Sequence, residues 1–303
     1  NEFVKRLTTN QKLPLLTSCS AGWIKFLEHF YPEMIPYASS CKSPMSMLST
    51  LLKTYYAERE QRSPRDIFVC AVMPCTAKKF EAERPEHQSP DDYPYTDAVL
   101  TTRELIWMIK AYGIDFNNLP NGEFDNPLGF SSGAADIFGA TGGVMEAALR
   151  TAAEELTGVP LNNLEFTDVR EVEGLKEASF QLAGKTLNVA VANGLSNAKT
   201  ILEKVKEGKK QYHLIELMAC PGGCINGGGQ PYPPPGYHVL DREVMRLRAR
   251  ALYRIDQAKS VRKSHDNPFI KALYTEYLGA PGSKLAHQLL HTSYQPREPK
   301  GIK

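Results

Sequence analysis

The sequence lacks the features that would direct a protein to a membrane or a nucleic acid. Its 36 lysines and arginines and 34 acidic side chains leave a net charge of +2, which implies no strong electrostatic attraction to nucleic acid or to a membrane surface. Apolar runs such as 67–73 are far shorter than the roughly 20 residues of a membrane span. No basic-then-apolar leader with a small-residue cleavage site is present. We therefore expect a cytoplasmic protein with no membrane span and no nucleic-acid partner.

Cysteine is too scarce for a disulfide scaffold, because the 303 residues contain only six. The histidines are scattered, with no His-x-x-x-His pair on a helix. We interpret Cys41 and Cys70 as small buried residues, since free cysteine is often simply buried. The other four cysteines lie in three segments flanked by glycine, proline or serine, where cofactor ligands tend to lie: Cys19, Cys75, Cys220 and Cys224.

Strands that alternate with helices predict an α/β fold with sites at the carboxyl ends of the strands. The apolar runs 66–73 and 213–219 predict strands buried on both faces, and each leads directly into a cysteine-containing loop. Residues 163–172 and 178–182 predict a β-hairpin region. A chain of this length is long enough for one large core or two lobes.

The two ends of the chain differ from its middle. Residues 1–7 already have helical spacing, with no initiator methionine or N-cap before them, which suggests a fragment of a longer polypeptide. After the stiff proline-rich connector 231–236 the chain becomes charged and helical. We expect residues 1–235 to form the functional domain and residues 236–303 to form a helical tail that wraps around it.

The segment 216–231 carries the strongest chemical signal. Cys220 and Cys224 are separated by Pro-Gly-Gly, and a Gly-Gly-Gly turn follows. Glycine lets the chain turn tightly and lets a bulky ligand approach the backbone. Thiolates on such a loop suit zinc or iron–sulfur clusters better than magnesium or calcium. A structural zinc site that adds Cys19 and Cys75 is an alternative, but such sites normally use two short-spaced pairs, and only one is present.

Three segments together resemble the signature segments of iron-only, or [FeFe], hydrogenases: Thr-Ser-Cys-Ser-Ala-Gly-Trp at 17–23, Met-Pro-Cys-Thr-Ala-Lys-Lys-Phe-Glu at 73–81, and 216–231. The second and third match at nearly every position. The resemblance extends through 138–149 and 263–268, so it covers nearly the whole chain, and the tail resembles a small-subunit-type extension. It implies two lobes of twisted, mostly parallel sheets flanked by helices, with the active site between them and a helical C-terminal arm.

The resemblance implies an H-cluster, a [4Fe–4S] cubane bridged by one cysteine to a di-iron centre with CO, CN⁻ and azadithiolate ligands. Cys75, Cys220 and Cys224 would ligate the cubane, and Cys224 would also bridge to the di-iron centre. Thiolates are the usual ligands of such clusters. Lys78 would donate a hydrogen bond to a cyanide, which a buried positive charge is well placed to do. The remaining pocket residues that the resemblance implies are Met73, Met218 and Phe138.

The first segment departs from the family, whose usual pattern is Thr-Ser-Cys-Cys-Pro-x-Trp. Cys19 keeps the position of the cysteine that relays protons, whereas Ser20 stands at the position of the fourth cubane ligand, and Ala21 replaces the proline. A serine oxygen is harder than a thiolate and would shift the potential of the cubane. We expect Ser20 or a solvent oxygen to be the fourth ligand. The alternative is that Cys19 becomes the ligand and the relay is lost.

In the family the relay cysteine is connected through glutamates and a serine to a surface arginine, and these roles fall on Glu2, Ser39 and Arg6. The alternative for Glu2 and Arg6 is an exposed helix-face pair, since they are four residues apart. Another family glutamate, an upstream strand and the ferredoxin-like clusters lie outside this sequence. A further portion or another chain is expected to supply them.

The resemblance implies reversible H2 oxidation and proton reduction, with H2 and protons as substrates. The implied partner is an electron-transfer iron–sulfur domain or subunit, either ferredoxin-like or NAD(P)-linked. Two alternatives remain: a non-catalytic hydrogenase-like iron–sulfur assembly protein, a group that lacks the relay cysteine, and a sensory hydrogenase. The turn 139–144 lacks the P-loop pattern and its lysine, so we reject nucleotide binding there.

Overall fold

The computed structural model describes residues 1–9, 11–170, 172 and 174–298. The strands are β1 (Leu15–Thr17), β2 (Cys70–Met73), β3 (Ala98–Thr101), β4 (Leu175–Leu182), β5 (Lys185–Asn193) and β6 (Leu214–Met218). The first six helices are α1 (Glu2–Thr8), α2 (Ala21–Phe30), α3 (Pro44–Leu51), α4 (Ala57–Arg59), α5 (Ala77–Ala82) and α6 (Thr102–Ala111). The others are α7 (Gly133–Asp136), α8 (Gly143–Thr157), α9 (Leu195–Lys206), α10 (Arg242–Ala258), α11 (Pro268–Leu273) and α12 (Lys284–Leu290).

Two sheets, one in each lobe, organise the fold. The larger sheet has the strand order β1-β6-β5-β4, in which β1, β6 and β5 are parallel and β4 is antiparallel to β5. The smaller sheet pairs β2 with β3 in parallel. The predicted α/β fold with mostly parallel sheets is therefore confirmed. Within the part of the chain that the structure covers, none of the helices combines the length and the apolar character that crossing a membrane requires.

Strand β6 is buried along its whole length, as its apolar run predicts. Ile215 and Leu217 pack on the side of α2 and α9, with Trp23 and Leu27. Leu214 points to the opposite side and packs with residues of α1 and α8. Because strand side chains alternate between the two faces, a strand covered by helices on both sides needs apolar residues at nearly every position.

Strand β2 differs from its prediction in length and in burial. Only Cys70–Met73 of the run 66–73 is a strand, and alternate side chains face outward, with Phe68 73% and Val72 46% exposed. Cys70 is exposed as well, so its interpretation as a buried residue is wrong, whereas Cys41 is partly buried. The sequence pattern of β2 matches that of β6, but in the described residues β2 pairs only with β3.

The predicted hairpin is correct in one of its two segments: 178–182 lies in β4, a strand of the hairpin, whereas 163–172 is not a strand. Strand β4 pairs with β5, and Ala183 and Gly184 connect them with φ values of 50° and 73°. Positive φ at both loop residues is the geometry of a tight two-residue hairpin turn. The stretch 163–172 is instead irregular with one short 3₁₀ turn, apart from residue 171, which lies outside the described residues.

The C-terminal helices are attached to the body by a buried network of ion pairs. Arg150 of α8 donates to Asp256 of α10 through two bonds, Nη1 to Oδ1 at 2.8 Å and Nη2 to Oδ2 at 2.9 Å, and both side chains are 0% exposed. Glu146 accepts from Arg150 at 2.8 Å, and Arg262 donates to Asp256 at 2.6 Å. The division of the chain at residues 235 and 236 stays a prediction, and residues 299–303 of the predicted tail lie outside the described residues.

Asp256→Asn is expected to lower the free energy of unfolding by roughly 3 kcal/mol, because it removes one charge from a buried network and leaves Arg150 with Glu146 and Arg262 with Glu165 as their remaining acidic partners. Urea unfolding of the two proteins measures this difference. The matched control is Glu207→Gln, which removes the exposed pair with Lys209 and should change the value by less than about 1 kcal/mol. Equal effects of the two substitutions would contradict a structural role for the network.

Candidate active site

The carboxyl ends of β2 and β6 bring the cysteine loops of the two lobes together. Cys75 follows β2 by two residues, and Cys220 follows β6 by two residues. The loops touch directly, since the Gly229 amide donates to the Pro74 carbonyl at 2.9 Å. Burial raises the pKa of the Cys220 thiol, and the neighbouring Cys75 raises it further. The structure therefore places the predicted cubane ligands of both loops side by side.

Glycine is required where these loops approach each other. A Cβ on Gly227 would lie 2.2 Å from the carbonyl oxygen of Pro74, far inside van der Waals contact. At Gly223, φ is +90° and a Cβ would lie 2.7 Å from the Thr141 amide. A side chain at Gly227 would push the loop that carries Cys224 away from Pro74 in the other cysteine loop, and one at Gly223 would push it away from the turn before α8.

The spacing of the cysteine thiols suits a cluster better than a single zinc ion. In the described residues, Cys75, Cys220 and Cys224 do not form a group whose sulfurs all lie within 4.8 Å of one another. Tetrahedral zinc with Zn–S bonds of about 2.3 Å would need sulfurs about 3.8 Å apart. At least two of the three sulfurs are therefore farther apart than tetrahedral zinc allows, whereas three thiols on adjoining loops are a donor set that fits an iron–sulfur cluster.

Cys19 and Ser20 point to different parts of the site. The Cys19 thiol lies 3.9 Å from the sulfur of Met218. A hydrogen bond between the Cys19 and Cys224 thiols lowers the pKa of Cys19 and raises that of Cys224. The Ser20 hydroxyl instead caps α2, accepting from the Trp23 amide at 3.3 Å, and also accepts from the Ala219 amide at 3.3 Å. Ser20 therefore faces the loop before Cys220, whereas Cys19 faces Met218 and Cys224.

Lys78 is a buried cation, as its predicted role requires. It is 2% exposed, and its Nζ donates to Glu81 Oε2 at 2.7 Å. Ser46 donates to the other carboxylate oxygen of Glu81 at 2.8 Å, and Ser43 also donates to it. Although burial raises the pKa of Glu81, the Lys78 cation and these hydroxyls hold it below its ordinary value. The sequence analysis did not identify Glu81, yet its i, i+3 spacing from Lys78 on α5 was a usable signal.

A cavity of about 400 Å³ is lined both by Cys19, the predicted relay cysteine, and by residues of the predicted proton route. Ser39 donates to Glu2 Oε2 at 2.6 Å, and Arg6 donates to Glu2 Oε1 at 2.7 Å. Arg6 also donates to the Ala38 carbonyl at 2.9 Å. Glu2 and Arg6 are therefore partly buried and tied to a second segment, unlike a simple exposed helix-face pair. The residues of the predicted site that line this cavity are Cys19, Glu2, Ser39 and Phe138.

The two predicted methionines lie at the ends of their strands. Met218 is buried at the end of β6 beside Cys19, and Met73 is partly buried at the end of β2. The buried Glu216, two residues before Met218, accepts from the amides of Gly142 and Met145 at 2.7 Å each. Burial raises the pKa of Glu216 to about 7. The turn 139–144 thus packs α8 onto β6.

A second, much smaller cavity lies on the other side of Cys19 and contains a histidine that the sequence analysis missed. His87 is 7% exposed, and among the described residues its Nδ1 has no hydrogen-bond partner. Burial lowers the pKa of His87 to about 4. The lining residues include Cys19, Ser20, Glu81, Arg84, His87 and Tyr294.

His87 is expected to make the protein less stable as the pH falls from about 6.5 to about 4. In this window the unfolded chain binds a proton at His87 and the folded chain does not, so the free energy of unfolding falls with falling pH, by on the order of 2–3 kcal/mol. Urea unfolding of cofactor-free protein at pH 7 and pH 4.5 should show a smaller loss for His87→Leu than for the unmodified chain. Substitution of the exposed His238 is the control, and equal losses in all three proteins would contradict the assignment.

Comparison with known proteins agrees with this geometry. Residues 1–228 match the family described as "Iron only hydrogenase large subunit, C-terminal domain", and residues 242–297 match "Iron hydrogenase small subunit". NADP-reducing hydrogenase subunit HndD of Solidesulfovibrio fructosivorans is 48% identical over 304 residues, covering 98% of this chain and 51% of that protein. Iron hydrogenase 1 of Clostridium pasteurianum is 44% identical over 295 residues, covering 97% and 51%. The chain thus spans about half the length of these curated relatives.

A solved structure of a variant of [FeFe]-hydrogenase HydA1 from Chlamydomonas reinhardtii has a TM-score of 0.85 and 41% identity, covering 98% of this chain and 81% of that one. Cytosolic iron-sulfur assembly component 3 of Bos taurus is 33% identical over 316 residues, covering 99% and 63%. The relatives therefore include proteins named as hydrogenases and a protein named as an iron–sulfur assembly component. The chain belongs to the iron-only, or [FeFe], hydrogenase family, and this membership implies an iron–sulfur cofactor.

Proposed function

We propose that the chain is the catalytic domain of an [FeFe]-hydrogenase that oxidises H2 and reduces protons reversibly. Cys75, Cys220 and Cys224 would hold the cubane of an H-cluster, with Cys224 also bridging to the di-iron centre. Ser20 or a solvent oxygen would complete the cubane. When bound, this cofactor supplies the redox chemistry on H2, and the protein supplies position, exclusion of water and a proton route.

The residues around the thiols are suited to a buried anionic ligand. Lys78 is a buried positive charge that already has one partner, Glu81, and retains further N–H groups for a cyanide. Met73, Met218 and Phe138 would enclose the di-iron centre with apolar side chains, which keep water out and strengthen the electrostatic interactions inside. Cys19 stands beside Met218, so its thiol would face the centre rather than the cubane.

The observation that carries the proposal is that Cys19 shares a cavity with the hydrogen-bonded residues Ser39 and Glu2. Cys19, Ser39 and Glu2 line one cavity, and Ser39, Glu2 and Arg6 form a chain of hydrogen bonds of 2.6 Å and 2.7 Å. Proton transfer needs donor and acceptor groups within hydrogen-bond distance, directly or through one water. The cavity leaves room for water between Cys19 and Ser39. A thiol that only held a cluster would need no such route.

Electrons would come from a separate iron–sulfur domain or subunit, which is ferredoxin-like or NAD(P)-linked. The relative named as an NADP-reducing hydrogenase subunit supports the second form. A cytoplasmic location stays a prediction, because another relative is named as a periplasmic hydrogenase. The function of residues 236–303 as a wrapping tail is also part of the proposal, supported by the buried ion pair between Arg150 and Asp256.

The experiment is an assay of H2 evolution with a chemically reduced viologen dye after anaerobic maturation of the protein. We expect turnover after insertion of the complete cofactor and none from protein that holds the cubane alone. Protein with full iron content and CO and CN⁻ ligands, but no turnover in either direction, would contradict the catalytic proposal. This result would favour the alternative of an iron–sulfur assembly or sensory protein. The relative from Bos taurus, which is named as an iron–sulfur assembly component, supports the first of these alternatives.

A further inference from the structure

A second group of metal-binding side chains lies around Glu2, the middle member of the Ser39–Glu2–Arg6 chain. Glu2, Cys41 and His291 each offer a ligand atom, and these three atoms lie within 4.8 Å of one another. All three residues are partly buried. They come from α1, from the segment before α3 and from the segment after α12, so only the folded chain brings them together. None of the roles assigned above uses Cys41 or His291.

Backbone pairing holds two of these residues in place. An antiparallel bridge pairs Cys41 with His291, closed by bonds from the Lys42 amide to the Leu290 carbonyl at 2.9 Å and from the Thr292 amide to the Ser40 carbonyl at 2.7 Å. A cation at this point would therefore meet ligands that the backbone has already positioned, which lowers the entropic cost of binding.

Polar contacts also orient the side chains of Glu2, Cys41 and His291. The Ser40 hydroxyl lies 2.8 Å from His291 Nδ1, and the Cys41 sulfur lies 3.6 Å from Glu2 Oε2. Arg6 donates to the other carboxylate oxygen of Glu2. Such outer hydrogen bonds fix the orientation of histidine and carboxylate ligands and are typical of functional metal sites. Glu2 and Cys41 also line the cavity of about 400 Å³, which provides room for the ion and its water.

We propose that Glu2, Cys41 and His291 form a binding site for one divalent transition-metal ion, of which Zn²⁺ is the best match. Zinc binds thiolate, imidazole and carboxylate, and three protein ligands with a water in the fourth position is a common arrangement. Magnesium and calcium prefer sets made only of oxygen ligands, so the cysteine and the histidine exclude them. The site does not include Cys75, Cys220 or Cys224, so binding of its ion does not require the H-cluster.

A consequence of this site rests on the proposed function. An ion bound to Glu2 would take that carboxylate out of the proton route, because a metal ligand no longer accepts a proton from Ser39. Micromolar zinc would then slow H2 turnover, and a chelator would restore it. The same ion would also connect α1 and the segment before α3 to the C-terminal segment.

The test is a zinc titration of cubane-loaded protein, in which the cluster cysteines are occupied, against a chromophoric chelator. One equivalent of Zn²⁺ should bind, and Cys41→Ala and His291→Gln should each weaken binding on the order of tenfold or more. Cys70→Ala, which removes an exposed cysteine elsewhere, is the control and should bind zinc as the unmodified protein does. Thermal unfolding of each variant checks that the fold is retained.

Zinc-edge anomalous scattering from a soaked crystal locates the ion independently of affinity. A peak about 2.0–2.3 Å from ligand atoms of Glu2, Cys41 and His291 is expected. The absence of a peak at this place, whether or not Glu154, His265 and Asp266 bind an ion of their own, or unchanged affinity in both variants, would overturn the site. Binding at this place without inhibition of turnover would support the site and would contradict the proton route through Glu2. The two failures are therefore distinguishable.

Discussion

Cys19→Ser is expected to lower H2 turnover by on the order of 100- to 10,000-fold while the iron content of the protein stays unchanged. A serine hydroxyl is a far weaker acid than a thiol, and loss of a positioned proton donor costs this much in enzymes that depend on one. In this chain the Cys19 thiol faces Met218 and Cys224, and it lines the cavity that leads to Ser39 and Glu2. The position is suitable for proton transfer, and the proposal assigns the fourth cubane position to Ser20 or to a solvent oxygen.

Three measurements on one preparation check this result: iron per chain, the infrared bands of CO and CN⁻, and the rate of H2 evolution. Cys70→Ser is the control, because Cys70 is exposed on β2 and should leave all three unchanged. A fall in iron content with Cys19→Ser would show that Cys19 is the fourth cubane ligand. The relay role of Cys19 would then be wrong.

Ser20→Cys is expected to convert a cubane with one weakly held iron into one with four thiolate ligands. Oxygen is less suited than thiolate to iron–sulfur coordination. We therefore expect the unmodified protein to release about one iron per cluster under mild oxidation and to show the electron paramagnetic resonance signal of a three-iron cluster. Ser20→Cys should retain all four irons under the same treatment, and its cubane should have a different reduction potential.

Ser20→Ala distinguishes a serine ligand from a solvent ligand. It removes a helix cap of α2, at a cost of about 1 kcal/mol, together with the acceptor of the Ala219 amide. If solvent is the fourth ligand, Ser20→Ala loses iron at the same rate as the unmodified protein. If the serine oxygen is the ligand, loss is faster. Equal and complete retention of iron by all three proteins would contradict a special role for residue 20.

Local patterns in the sequence predicted the burial of a strand correctly only where neighbouring elements cover both of its faces. The apolar run at β6 predicts a buried strand, and neighbouring strands and helices on both sides cover it. The run at β2 has the same pattern, yet the described residues place no strand on its outer edge, so its side chains alternate outward. Burial of a strand depends on its neighbours, which a local pattern does not contain.

The residues of the candidate site also fall into two groups, those that the sequence could identify and those that only the fold brings together. The cysteine loops are recognisable because their ligands are close in sequence and require glycine nearby. Glu81 is three residues from Lys78 and was also within reach of a sequence argument. His87 lies in a cavity that several distant segments form, and the pairing of Cys41 with His291 depends on a bridge between segments far apart in the chain. Only the three-dimensional structure identifies such residues.

The central claim is that this chain holds a working H-cluster. The most direct measurement is the infrared spectrum of anaerobically matured protein in the CO and CN⁻ stretching region, first under argon and then under H2. The account predicts sharp bands that change position under H2 and return when H2 is removed. Protein that contains iron and sulfide but shows no such bands, or bands that H2 does not move, would contradict it.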